Sequence, residues 1–319
     1  MMRTLITGIT GFVGRHLARS LEGKAAEEGS PASVYGTSFP HPPGPADERI
    51  RLLDLRLESD VLSFLEEIRP DRIFHLAAVS NVRASWLMRR ETLETNVGGT
   101  QSLLEAVRKT VPGARILFVS SSDVYGHAGI PGEGLAEDEP FQILNPYAFS
   151  KAAGEMLCGF YGNVEGLDIV VARPFPHTGP GQAEDFVCSD WARQIVRIER
   201  GESEPVIWVG NMDVSRDFCD VRDVIEAYRM LMESGRRGEV YNICSGKAVG
   251  LREILDFLIS EAVGKPRISI EVDPGKLRKT DLPLLEGSNR KIAAGTGWAP
   301  RIPMTRTLKD LLDFWRRRP

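Results

Sequence analysis

Tyr147 and Lys151, four residues apart in "NPYAFSKAAGE", are the pair whose spacing suggests chemistry most directly. A helix opening after Pro146 stacks positions i and i+4 on one face and sets an ammonium beside a phenol. A nearby cation favours the phenolate and draws the phenol pKa down from about 10 toward working pH. Such a tyrosine can pass a proton to or from an alcohol or sugar oxygen. Taken alone, the pair would read as a boundary tyrosine and a solvated lysine. A second stretch, "VSSSDVYG" at 119–126, places three hydroxyls and a carboxylate behind an apolar run. It is either a polar strand end or a catalytic one.

A third feature opens the chain. "TGITGFVG" sets Gly8, Gly11 and Gly14 directly after an apolar run, with Thr10, Phe12 and Val13 among them. Glycines there permit a tight turn, let the backbone approach a pyrophosphate and pack the following helix close to the sheet. The helix N-terminus then offers free N–H groups and a positive dipole end. The spacing is G-x-x-G-x-x-G, and the competing reading is a plain strand–turn–helix. An acidic residue holding an adenosine ribose should end the second strand. That strand ends "GTSF", with no carboxylate before Asp47 and no arginine at its end, which favours NADP(H) with NAD(H) as the alternative.

These residues need elements to hold them. Apolar, β-branched runs at 3–8, 33–39, 49–55, 72–78, 115–121 and 168–174 read as buried strands. Helical periodicity falls between them, at about 12–22, 58–68, 91–110 and 147–162. Alternation of this kind implies an α/β fold, a Rossmann-type doubly wound parallel sheet with helices on both faces. Beyond 174 the rhythm loosens in "RPFPHTGPGQ", and "EVYNICSG" at 239–246 reads as a strand returning to the sheet. Helices are expected near 186–201, 223–234, 250–263 and 305–317, and "PHPPGPADE" at 40–48 as a surface loop. The division expected is a dinucleotide-binding domain over 1–174, with a return segment at about 216–246. A smaller C-terminal α/β substrate lobe would comprise 175–215 and 247–319.

The chain of 319 residues carries a net charge of −4, which leaves no electrostatic footprint for nucleic acid or an anionic membrane. Its four cysteines are scattered without metal-ligand spacing, so no metal site is expected and the thiols suit a reducing compartment. No apolar run is long enough to span a membrane, and "MMRTLITG" reads as a strand rather than a leader; the expected location is the cytoplasm.

The glycine loop, "HLAA" at 75–78, "SSSDVYG" and the Y-x-x-x-K pair fall in register. Together they resemble the extended short-chain dehydrogenase/reductase family over essentially the whole chain. The resemblance implies a Ser/Thr–Tyr–Lys triad of Ser121, Tyr147 and Lys151, with Asp123 beside it. It places Asp54 and Leu55 near the adenine. It has Leu76, Ala77, Ala78, Asn96 and Pro174 line the cofactor, and Lys151 also hold the nicotinamide ribose. "RPFPHTGPGQ", "DWARQIVRIERG", "VGNMDVSRDFCDVRDV", "VYNICSG" and "GTGWAPRIP" look like nucleotide-sugar enzymes of the GDP-mannose branch, most like its 4-ketoreductases, with the 4,6-dehydratases as relatives. By that likeness Ser80, Ser122, Asp123, His177, Phe186, Arg216 and Arg278 face a GDP-linked sugar. Arg216 would approach the diphosphate through its bidentate fork, unless it pairs with Asp220 or Asp223. Where the branch reads "RPFNH", this chain has Pro176, which offers neither a side-chain donor nor a backbone N–H. Dehydratases carry Glu at the position of Asp123, and the shorter side chain points to a reductase. A 4,6-dehydratase, a 4-epimerase and a non-catalytic dinucleotide sensor are the alternatives. The family also implies a homodimer, built by the helices near 91–110 and 147–162 as a four-helix bundle.

Overall fold

The computed structural model describes residues 2–27, 33–40, 47–126, 134–277 and 280–318. Most of the loop expected at 40–48, and Arg278, lie outside the described residues.

The apolar runs become strands that share one sheet. These are β1 (Arg3–Thr7), β2 (Ser33–Ser38), β3 (Ile50–Leu52), β4 (Arg72–His75), β5 (Arg115–Val119), β6 (Asp168–Pro174) and β11 (Val240–Ile243). All pairings are parallel and the order is β11-β6-β5-β4-β1-β2-β3. The chain reverses its direction of travel between β1 and β4, so their carboxyl ends frame the crevice where such sheets bind ligands.

Helices cover both faces because the strands are apolar on both. On one face α2 (Glu58–Ile68), α5 (Gly99–Thr110) and α6 (Pro146–Asn163) bury Phe64, Leu65, Leu103 and Tyr161 against Leu5, Ile73 and Ile116. On the other, α1 (Phe12–Glu27) and α8 (Val221–Ser234) bury Leu17, Val224 and Tyr228 against Ile6, Phe74 and Leu117. Burial of this kind contributes about 25 cal/mol for each Å² of apolar surface removed from water. The return strand expected at 239–246 is β11, paired to β6.

The helix expected at 91–110 forms, with a change of hydrogen-bond register inside it. After α3 (Val82–Leu87) the chain forms α4 (Arg89–Leu93), a single π-helical turn at Glu94–Gly98, and then α5. A π turn inserts one extra residue into the ladder, a device that recurs at functional sites. Here it re-aims Asn96 toward the chain that leaves β4.

A further core forms among α7 (Val187–Glu199), β8 (Val206–Val209), α9 (Leu251–Ser260) and α11 (Met304–Arg316), where Trp191, Ile195, Ile207, Leu255 and Leu311 are buried together. Short strands complete this part: β7 (His177–Thr178) pairs β10 (Cys219–Asp220), and β13 (Ser269–Val272) pairs β8. A three-stranded sheet has β9 (Ser215–Asp217) between β12 (Ala248–Gly250) and β14 (Leu284–Leu285). The segment holding α10 (Arg290–Thr296), expected in the second lobe, instead packs Ile292 and Trp298 into the core beside β11 and α8.

Candidate active site

The crevice begins at the glycine loop. Gly8 has φ of 72°, and a Cβ there would meet the Ala77 backbone at 3.0 Å, so glycine lets β1 run against the end of β4. At Gly14 a Cβ would lie 2.4 Å from the Gly8 carbonyl oxygen, which forces α1 to start tight against the loop. The first N–H groups of α1, around Phe12, Val13 and Gly14, have no partner within the helix and emerge with its positive dipole end. A dinucleotide pyrophosphate fits this cradle.

Behind the loop, His75 ends β4 fully buried between two threonines. Its Nδ1 lies 2.8 Å from Thr7 Oγ1 and its Nε2 2.9 Å from Thr100 Oγ1. Thr100 gives its own proton to the Asn96 carbonyl, so Nε2–H donates to Thr100. Thr7 Oγ1 accepts from the N–H groups of Leu76 and Ala77, each at 3.1 Å, and donates its proton to Nδ1. The network thus fixes the neutral Nε2–H tautomer, and burial, with the charge on Lys151 adding, lowers the imidazole pKa to about 3.

Asn96, set by the π turn, accepts from the Val79 N–H at 2.8 Å and donates to the Val79 carbonyl and to Ser150 Oγ. Ser150 donates in turn to the Tyr147 carbonyl at 2.7 Å. The side-chain amide therefore ties the chain after β4 to the first turn of α6. It is buried, and its side-chain amide is engaged by protein groups. Ser80, by contrast, is exposed.

α6 starts as its sequence dictates. Asn145 caps it through Oδ1, accepting from the Ala148 N–H at 2.7 Å, and Pro146 occupies the first turn. Tyr147 and Lys151 are consequently both buried on its inner face, facing the end of β5. Lys151 Nζ donates to the Val119 carbonyl at 2.7 Å and lies 5.9 Å from the Tyr147 ring centroid. Ser121 Oγ accepts from the Asp123 N–H at 3.2 Å and donates to Asp123 Oδ2 at 3.1 Å, opening the 3-10 turn Ser122–Tyr125. Ser122 is buried within that turn.

The electrostatics reverse one expectation. Burial, reinforced by the Asp123 carboxylate, pushes the Tyr147 phenol well above its usual range, with its hydrogen-bonding interaction with Ser121 opposing. Burial also lowers Lys151 to about 8. The lysine that was to draw the phenol down is held on a backbone carbonyl, and desolvation of the phenolate outweighs its attraction. Tyr147 is thus a protonated acid, with Ser121 as the second hydrogen-bonding group beside it.

Beneath this trio lies a charged network. Arg173, on β6, donates to Glu155 of α6 at 2.8 and 2.9 Å, to the Tyr125 hydroxyl at 2.8 Å and to the Glu137 carbonyl at 3.0 Å. Tyr125 donates to Asn242 of β11 at 2.7 Å. Neither Glu155 nor Arg173 was among the sequence candidates. A charge four residues after Lys151, and an arginine inside the apolar run "DIVVARP", were the available signals. Pro174, next along β6, is buried.

Other candidates scatter more widely. His177 stacks on Phe12, centroids 6.3 Å apart, and its Nδ1–H donates to the Phe175 carbonyl, joining the loop after β6 to the start of α1. His16 and Arg15 of α1 donate to the carbonyls of Pro180 and Gly181 in the same loop. The Pro176 carbonyl accepts from the Cys219 N–H, so this residue serves the β7–β10 junction. Phe186, half-buried, precedes α7. Arg216 bonds Asp281 Oδ1 at 2.6 Å and the carbonyls of Ser215 and Leu282, so its carboxylate partner is Asp281 and not the Asp220 or Asp223 of the alternative reading. Those two are engaged elsewhere: Asp220 with Arg222 and Thr307, and Asp223 with the N–H groups of Arg301 and Ile302. Asp54 follows β3 and holds Arg56, while Leu55 is buried in the core.

Comparison with known proteins agrees with this geometry. The family model described as GDP-mannose 4,6 dehydratase matches residues 5–311. A GDP-6-deoxy-D-mannose reductase of Pseudomonas aeruginosa is 36% identical over 99% of this chain and 98% of that protein. GDP-mannose 4,6 dehydratase 2 of Arabidopsis thaliana is 28% identical over 97% of this chain and 85% of that protein. Among solved structures, RMD from Pseudomonas aeruginosa complexed with NADPH superposes with a TM-score of 0.84 at 34% identity, covering 99% of each chain. On the extent of these matches, the chain belongs to the GDP-mannose 4,6 dehydratase family of Rossmann-type nucleotide-sugar enzymes.

Proposed function

We propose that this protein is an NADPH-dependent 4-ketoreductase that converts GDP-4-keto-6-deoxy-D-mannose to GDP-D-rhamnose, with NADH as a weaker donor. The observation that carries the reductase reading over the dehydratase is the state of Asp123. Its short carboxylate is turned back onto the Ser121 hydroxyl, from which it accepts a hydrogen bond, where a dehydratase needs an acid or base reaching the sugar. The full-length likeness to a GDP-6-deoxy-D-mannose reductase supports the same reading.

In this scheme a bound nicotinamide supplies hydride to C4 of the sugar. Ser121 and Tyr147 hydrogen-bond the C4 carbonyl oxygen and stabilise the negative charge that develops there. Tyr147, held protonated by burial, donates its proton to that oxygen, and the Lys151 ammonium stabilises the phenolate left behind. The glycine loop with Thr10, Phe12, Val13 and the ends of β4 and β6 at Leu76, Ala77, Ala78 and Pro174 would hold the dinucleotide, with Asp54 and Leu55 at its adenine. Ser80, Ser122, His177, Phe186, Arg216 and Arg278 would address the GDP-sugar. In this reading residues 1–174, with the return segment at about 216–246 and the α10 segment packed beside it, form the cofactor domain, the remainder forms the sugar lobe, and the enzyme works in the cytoplasm.

The purified protein should oxidise NADPH only when the 4-keto-6-deoxy sugar is supplied. Formation of that keto sugar from GDP-mannose and NADP, without a partner enzyme, would overturn the proposal in favour of the dehydratase. Tyr147→Phe should lower kcat by about a hundredfold or more while leaving the Kd for NADPH within about twofold. Undiminished turnover would remove Tyr147 as the donor.

A homodimer is also part of the proposal. Phe149, Met156, Phe160 and Val164 recur on one face of α6 and are 50–68% exposed, with Leu87 at 82%. A stripe of this kind at helical spacing suits a partner helix better than water.

A further inference from the structure

In a Rossmann sheet the end of the second strand meets the adenosine ribose, and a 2′-phosphate there requires a cation. The strand supplies none. Ser38 is buried, with no hydrogen bond to its hydroxyl, and Phe39 is apolar and half-exposed. The Leu53 N–H donates to the Ser38 carbonyl, so the chain leaving β3 turns across the same edge. Three residues later the Arg56 guanidinium lies over the Phe39 ring, 5.6 Å from its centroid. Asp54 holds it from one side, accepting from Nη2 at 2.6 Å and Nε at 2.9 Å. Nη1 makes no hydrogen bond among the described residues, and the side chain is 34% exposed.

We propose that Arg56, clamped between the Asp54 carboxylate and the Phe39 ring, receives the 2′-phosphate and sets the preference for NADPH over NADH. The planar fork suits the task, because one edge can satisfy a carboxylate while the other meets phosphate oxygens. The aromatic backing holds the plane in place before any ligand arrives. Asp54, already bound to Arg56, is a poor acceptor for the unmodified ribose hydroxyl of NADH. Neighbouring arginines are committed elsewhere: Arg49 to Asp47 and Glu22, and Arg51 to Glu67 and the face of Phe64.

The inference rests on the NADPH reading above, and binding measurements separate the two. Wild type and Arg56→Ala would be titrated with NADPH, NADH, 2′,5′-ADP and 5′-AMP. We expect the variant to bind NADPH and 2′,5′-ADP about tenfold more weakly, with NADH and 5′-AMP changed by less than about twofold. Equal loss for all four ligands, or no loss for any, would overturn the assignment. If wild type shows no preference for the 2′-phosphorylated ligands, the NADPH reading fails before Arg56 is tested. Arg56→Lys, which retains the charge and lacks the fork, should discriminate to an intermediate degree, and it serves if the alanine variant does not fold. Wild-type discrimination in Arg56→Lys would again exclude the fork.

Discussion

At the scale of single residues, desolvation decides the chemistry. Tyr147 and Lys151 stand one helical turn apart as their spacing demands, yet burial moves the phenol up and the ammonium down to about 8. A reductase requires both in their protonated forms, so Lys151 sets the upper limit. As pH rises through about 8 the ammonium is lost and with it the stabilisation of the departing phenolate. We expect kcat/KM for the keto sugar to fall on the alkaline side with an apparent pKa near that value. A profile flat to pH 9.5 would dissociate Lys151 from the proton transfer. Arg173 and Arg216 teach a related lesson. Each found a carboxylate partner, Glu155 or Asp281, 18 and 65 residues away in sequence. Spacing alone reveals helical neighbours; it does not reveal which distant acid a fold will bring to a buried guanidinium.

Among elements, the crevice is stitched where β1, β4 and α5 meet, and His75 is the stitch. Its folded pKa of about 3 lies below the unfolded value of 6.5, so the unfolded chain binds the extra proton between those limits. Stability contributed by the neutral ring is therefore complete above about 6.5 and is lost as pH falls toward 3, up to roughly 4–5 kcal/mol. Substituting His75→Gln should flatten the fall of Tm between pH 6 and pH 4; an unchanged slope would assign the acid sensitivity to other groups. The sheet and most helices were legible from β-branched runs and 3.6-residue periodicity, because burial on two faces leaves a strong imprint on residue type. The π turn at Glu94–Gly98 was not. A single inserted residue barely disturbs an apolar period, and its cause is the tertiary demand for Asn96 at Val79 and Ser150. Arg56 escaped notice likewise, since only the parallel pairing of β3 with β2 carries it to Phe39.

For the molecule as a whole, the apolar stripe on α6 is the surface on which the proposed homodimer rests. Because α6 also carries Tyr147 and Lys151, a partner helix packed along it would brace the catalytic turn from outside. Paired Met156→Glu and Phe160→Glu substitutions should convert a dimer to a monomer in sedimentation velocity. A wild-type chain that sediments as a monomer would refute the interface. The buried Glu155–Arg173 pair, finally, constrains descent. A lone change at either position strands a buried charge at a cost of about 3–5 kcal/mol, a large share of the 5–15 kcal/mol that typically separates folded from unfolded chains. Lineages diverging from this sequence must keep both residues or exchange both together through some intermediate that repairs the loss elsewhere. A stable homologue carrying only one of them, with nothing taking the other's place, would contradict this.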